Sequence, residues 1–339
     1  MSFYRNEPKV LDELKTGVLL VNLGTPEAAT TSAVRKYLKE FLWDRRVVEF
    51  PRALWWIILN GLILNTRPSK SAGAYQKIWT QHGSPLKVIT EKLADKLSLA
   101  VNARLGSKYV VQYAMRYGQP SMPDVMQSLQ AQGVSKLLVL PLYPQYSATT
   151  TASVSDAVFA ELMHWRRVPE LRTITSYATD PAYIAAIASS ITQYWDINGR
   201  AQRLLFSFHS IPQAYIDKGD IYHSECMNTI REVVSVLDLP ESAWSVAFQS
   251  RLGRQKWVQP YTDKTLIKWA QEGLESVDVV CPGFSIDCLE TLEEINQENR
   301  AYFVNNGGSR YSYIPALNDS EDHVNCMLTI LEKYLVGWD

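Results

Sequence analysis

The chain has 339 residues, 46% of them hydrophobic and 20% charged, with a formal net charge of -1, which is enough apolar material for a large core and for two domains. A near-neutral balance with no dense Lys/Arg run excludes a nucleic-acid surface. Cys226, Cys281, Cys288 and Cys326 are widely spaced and form no C-x-x-C pair, which excludes a zinc ribbon and a secreted disulfide framework. The polar start MSFYRNEPKVLDELK contains acids and is neither a secretory signal nor a transit peptide, so the cytoplasm is the expected location.

The first predicted strand lies in GVLLVNLGTPEA, from Gly17 to Ala28. Its Leu19 to Thr25 lines up with Leu204 to Ser210 further on, and Val111, Tyr113, Arg116 and Gly118 match Val246, Phe248, Arg251 and Gly253 at identical spacing. A third correspondence follows in the same order. Helix-like MPDVMQSLQAQG and strand LLVLPLYP parallel TDKTLIKWAQEG and VDVVCPGF, with Gly133 and Gly273 expected as helix C-caps. The ordered recurrence predicts an α/β chain of two similar Rossmann-like halves, each a mostly parallel sheet flanked by helices. The division is expected as 1–160 and 161–339, with a cleft between the halves.

The interval from Gly24 to Tyr113 is more than twice that from His209 to Phe248, so the first half carries an insertion around 26–85. It contains Trp43, Trp55, Trp56 and Trp79 and a nearly apolar run over 53–64. That run is too short for a bilayer, which needs about 20 residues. It reads either as a helix packed on its own domain or as an exposed apolar lip, with Arg45, Arg46, Arg52 and Arg67 beside it for acidic groups.

In the second half, LLFSFHSIPQAYIDKGDIY ends an apolar strand on Ser207, His209 and Ser210. The carboxyl end of a strand in an open α/β sheet is where ligands bind. A histidine there caps the backbone or serves as a proton acceptor or metal ligand. Pro212 and the Gly219-Asp220 turn make the following loop structured. After strand VDVVC, the run SIDCLETLEEINQEN sets Glu290, Glu294 and Glu298 four residues apart, on one slowly drifting face of an α-helix. Asp287 and Glu290 have the spacing of a capping box, and a solvated acidic face is the competing account.

The run FSFHSIP with Asp217, Gly219, Asp220 and Tyr222 closely resembles the signature of the ferrochelatases, which insert ferrous iron into a porphyrin. The likeness extends from about Gly17 to Tyr334 and implies a chelatase-type fold. It implies that His209 and Glu290 are catalytic and that His209, Glu290, Glu294 and Glu298 handle metal. Leu23, Arg67, Tyr75, Ser84, Arg116, Tyr117 and Trp257 are implied to line the porphyrin site, arginine suiting carboxylates through its planar fork. It also favours the lip reading of 53–64, with peripheral contact to the inner membrane. Cys288 stands where many relatives have histidine, a departure from the pattern.

Metallation removes two pyrrole protons and strips water from the metal, so a base, carboxylates and rigid apolar walls are the required parts. No G-x-x-x-x-G-K-[ST] or G-x-G-x-x-G occurs, and chelation without ATP is expected. Some ferrochelatases hold an iron–sulfur cluster through C-terminal cysteines, but only Cys326 lies in that region here. No cluster and no other tightly bound cofactor is expected. Ferrous iron and protoporphyrin IX are the expected substrates, coproporphyrin or another metal chelation being the alternatives within the fold. A carrier that binds a tetrapyrrole without changing it is the alternative from another class. A monomer is the simplest expectation for the assembly.

Overall fold

The computed structural model describes residues 14–338 except Leu252 and Arg254. The described residues divide into two compact units, one within Met1–Tyr143, Ser147–Ser176 and Met327–Asp339, the other Pro144–Tyr146 and Tyr177–Cys326.

The first unit is built on a parallel sheet of β1 (Lys15–Thr25), β2 (Tyr109–Gly118), β3 (Val134–Pro141) and β4 (Glu170–Thr173) in the order β2-β1-β3-β4. Val18 to Val21 are fully buried because helices cover the sheet, as parallel sheets require. Helix Thr31–Trp43 starts where the Thr30 hydroxyl accepts from the Ala33 N–H, and helix Met122–Ala131 where Ser121 accepts from Asp124. At the carboxyl edge, β1 and β2 come so close that a Cβ on Gly24, at φ 107°, would lie 1.7 Å from the Tyr117 carbonyl. Only glycine fits there.

The second unit repeats the plan with β5 (Arg203–His209), β6 (Trp244–Gln249), β7 (Ser276–Val280) and β8 (Arg310–Ile314) in the order β6-β5-β7-β8. Gly133 and Gly273 end equivalent helices, at φ 85° and 90°. Backbone pairing aligns the halves without reference to side chains. Leu20 pairs with Tyr113 and Leu140, while Phe206 pairs with Val246 and Val280. The Met115 N–H donates to Pro120 and the Phe248 N–H to Pro260, at 2.8 and 2.7 Å. Leu20 therefore corresponds to Phe206, Leu23 to His209 and Arg116 to Gln249. The match by residue likeness is one residue out in β1 and two in β2. A sheet buried on both faces shows no polar alternation to set the frame.

The division differs from 1–160 and 161–339 in three places, the first being Pro144–Tyr146, which belongs to the second unit. β4 pairs with β3, which holds 161–176 in the first unit. Residues 327–338 return to it as well: the Arg172 guanidinium donates to the carbonyls of Tyr334 and Val336 at 2.6 and 2.8 Å and lies over the Trp338 ring.

The insertion folds as helix Arg52–Ile58, a wide turn Leu59–Ile63 and helix Leu64–Ile78. The run 53–64 has one packed face and one exposed face. Trp55, Leu59 and Leu64 pack with Leu42, and the Trp55 indole N–H donates to the Leu42 carbonyl at 2.7 Å. Leu54, Trp56, Ile57 and Leu62 are exposed. No helix of the described residues is long and apolar enough to cross a membrane.

Candidate active site

In the second unit, His209 is the last residue of β5 and half-buried. Its Nδ1 donates to the Ser210 carbonyl at 2.6 Å. That bond fixes the tautomer and leaves the Nε2 lone pair as an acceptor. Ser210 is itself anchored, its N–H on the Gln249 carbonyl at 2.8 Å and its hydroxyl on the Val258 carbonyl at 3.0 Å. The neighbouring rungs, Val258 N–H to Ile211 and Gln213 N–H to Lys256, bridge Pro212 to Trp257. The histidine strand and the buried Trp257 are thus stitched together.

The glutamates lie on Glu290–Asn299, which winds as a π-helix with i→i+5 hydrogen bonds and not as the expected α-helix. A turn of more than four residues makes a period of four lag where an α-helix would make it lead, so the acidic line drifts the opposite way. Glu290 and Glu294 are half-buried and Glu298 is exposed, where it accepts from the Tyr302 hydroxyl at 2.7 Å. The Glu294 carboxylate accepts from both the N–H and the hydroxyl of Ser250, the former at 2.8 Å. Burial first, and then the charges of Glu290 and Glu298, raise Glu294 to about 7 against the pull of those donors. Beside Glu290, burial and the adjacent carboxylate push the Cys288 thiol up. The expected capping box is not formed. Asp287 turns to Thr291, Tyr313 and Asn318, and the Cys288 N–H goes to the Thr291 hydroxyl.

Gln249 and Ser250 were missed by sequence reasoning. Gln249, paired with His209, accepts from Ser207 through Oε1 at 2.7 Å and donates to the Glu290 carbonyl through Nε2 at 3.2 Å. It joins the histidine strand to the glutamate helix. The one available signal was their place between Phe248 and Arg251, two residues singled out only for the repeat. No hydrogen bond or ion pair joins His209 to Glu290, and among the described residues no three His, Cys, Asp or Glu side chains gather to hold a metal.

In the first unit, Leu23 is half-buried at the end of β1. Ser84 accepts from the Thr25 hydroxyl at 2.9 Å, and Tyr75 packs edge-on against Trp79. Arg116 departs from the expected clamp. Its guanidinium reaches Asp44 at 2.5 Å and the Ser153 hydroxyl at 2.8 Å, with its side chain only 18% exposed. Tyr117 is fully buried (0% exposed) with its hydroxyl on Asp44 at 2.8 Å, so it supports Arg116 and does not line a pocket. Burial works to raise Asp44, but Ser153, the Arg46 N–H, Tyr117 and Arg116 outweigh it and hold the carboxyl below its usual value. Arg67 is exposed, with no hydrogen bond or ion pair among the described residues. Arg46 is spent on Asp156, and Arg52 lies over Trp43.

Two parallel four-stranded sheets of the same order define the two-domain fold of the chelatases. The sirohydrochlorin chelatase SirB from Bacillus subtilis, solved in complex with cobalt, matches at a TM-score of 0.54 and 11% identity over 94% of this chain and 95% of its own. CbiX, the terminal enzyme of sirohaem biosynthesis in denitrifying bacteria, matches at 0.53 and 11% over 94% and 98%. The ferrochelatase family model matches residues 15–335. Ferrochelatases of Teredinibacter turnerae and Marinobacter nauticus are 54% and 51% identical, over 96% and 100% of this chain and 88% and 90% of their own. The chain belongs to the ferrochelatase family.

Proposed function

We propose that this enzyme inserts ferrous iron into protoporphyrin IX to form protohaem, without ATP and with no resident cofactor, iron being the substrate. The observation that carries the mechanism is the contrast between two groups in the second unit. His209 keeps an acceptor lone pair on Nε2, and Glu294 is held at about 7, where a carboxyl both takes and gives a proton near neutrality. His209 accepts a pyrrole proton. The glutamates, Glu298 exposed and Glu294 and Glu290 half-buried, carry protons away or iron in.

The porphyrin supplies four nitrogens, so the protein needs only a transient metal path and no closed cage. Trp257 serves as an apolar wall beside the His209 strand in the second unit, and Leu23, Tyr75 and Ser84 are assigned as the first unit's own porphyrin contacts. Because Arg116 is neutralised by Asp44, the exposed cation Arg67 is assigned to the porphyrin carboxylates. The exposed face of Leu54, Trp56, Ile57 and Leu62 suits peripheral contact with the inner membrane from the cytoplasm. A tetrapyrrole carrier has no use for a half-buried carboxyl that titrates near neutrality.

Anaerobic mixing with protoporphyrin IX and ferrous iron, followed by the porphyrin spectrum, tests the assignment. Accelerated metallation is expected, faster than with coproporphyrin. A rate equal to the protein-free control overturns it.

A further inference from the structure

Asp287 opens the segment that leads into the glutamate helix. It is buried, 5% exposed, and its hydrogen-bond partners are all neutral. Oδ1 accepts from the Thr291 and Tyr313 hydroxyls at 2.8 and 2.6 Å, and Oδ2 from the Asn318 amide at 2.7 Å. Asn318 returns the contact, its Oδ1 accepting from the Asp287 N–H at 2.9 Å. Its own N–H donates to Ser285 at 3.0 Å. Three bonds thus run from Asn318 to the segment ending at the first turn of the helix that carries Glu290.

Asn318 is pre-set for this task. Its φ of 53° lies in the left-handed region, which asparagine tolerates better than most residues. Its carbonyl accepts from Nδ1 of His323, which has no accessible surface. Burial holds His323 at about 4 and therefore neutral, with that nitrogen as the donor. The loop conformation and the buried imidazole together aim the amide at Asp287.

We propose that Asn318 is a positioning residue for iron insertion, gripping Asp287 so that the turn carrying Glu290 stands in its working orientation. The proposal rests on the assignment of Glu290 to catalysis. Asn318 touches no reacting group and acts through Asp287.

The bonding pattern supplies its own test. In Asn318→Asp, two carboxylates face each other across the former amide contact. In the double exchange Asp287→Asn with Asn318→Asp, the amide and the carboxylate trade places. Oδ1 of residue 287 still accepts both hydroxyls, its amide donates to residue 318, and the 287 N–H keeps an acceptor. Porphyrin binding, read as stoichiometry and Kd by fluorescence titration, counts the folded sites, and kcat is normalised to that count. Asn318→Asp is expected to lose about tenfold or more in kcat per binding site with Kd within about twofold, and the exchange to recover to within about threefold of the parent. If Asn318→Asp does not fold, Asn318→Gly keeps the left-handed backbone and removes the grip.

Adding Asn318→Gly to Glu290→Gln should have no further effect, since a residue acting through Glu290 has nothing left to position. A kcat loss that only follows binding stoichiometry, or an Asn318→Gly effect that adds fully to Glu290→Gln, overturns the proposal. Full turnover in Glu290→Gln alone removes the catalytic assignment of Glu290 instead, a different outcome read from a different variant.

Discussion

Ser250 places two donors on the Glu294 carboxylate, its N–H and its hydroxyl, from a backbone held at φ 66°. Those bonds stabilise the charged form, yet burial dominates and the carboxyl is raised from 4.5 to about 7. For an acid with a raised folded pKa, the contribution to stability is fully present below the unfolded value and is lost as pH rises through the folded one. Between about pH 4.5 and 7 the loss is on the order of 3 kcal/mol, at about 1.4 kcal/mol per unit. Glu294→Gln should flatten that slope, so its melting temperature relative to the parent rises from pH 5 to pH 8. Parallel curves for the two proteins would count against the raised carboxyl. Turnover should fall only moderately, because the amide keeps an oxygen acceptor but cannot take up or release a proton near neutrality.

His209→Ala should abolish metallation and retain porphyrin binding, since it removes the Nε2 acceptor and leaves the Ser210 to Val258 and Ser210 to Gln249 bonds in place. Near-normal turnover would end the assignment of His209 as proton acceptor.

Arg116→Ala strands the Asp44 carboxylate among Ser153 and Tyr117 without its cation. A partner left unpaired in a largely buried ion pair costs about 3 kcal/mol. The melting temperature should fall before porphyrin affinity does. Arg67→Ala should behave oppositely, with affinity reduced and melting unchanged. Equal loss of affinity in the two variants would restore Arg116 as a carboxylate clamp.

Trp55 and Trp56 are adjacent and face opposite ways. Trp55→Ser empties a packed site and orphans the Leu42 carbonyl, at a cost of about 3 kcal/mol or more. Trp56, 58% exposed, can be changed to Ser with little effect on melting. Liposome flotation should drop for Trp56→Ser, and retention at the parental level would argue that this face meets something other than lipid.

The architecture was legible in the sequence because the cues to it are local. Apolar runs, the Gly133 and Gly273 helix ends and the ordered recurrence of motifs all survive in a window of a few residues. The frame between the halves was not, since a shift of two along β2 returns each side chain to the same face and leaves the likeness intact. Glu290, Glu294 and Glu298 were found by spacing, but spacing does not reveal whether a helix closes its bonds at i+4 or i+5. Arg116 suggested a carboxylate partner, and that partner, Asp44, lies 72 residues away in the chain. Asn318 and Ser250 carry no local mark either. Each owes its role to a backbone at positive φ and to a contact made across the fold.

The return of residues 327–338 to the edge of β3 and β4 orders events during synthesis. Arg172 waits for the carbonyls of Tyr334 and Val336, Lys136 for that of Trp338, and Arg104 for Glu332 at 2.5 Å. All three cations leave the ribosome well over a hundred residues before their partners, and Tyr177–Cys326, the bulk of the second unit, is translated in between. The first unit is consequently the first to begin folding and the last to be completed, and during that delay the β4 edge and the site of the Trp338 ring are the surfaces open to a chaperone.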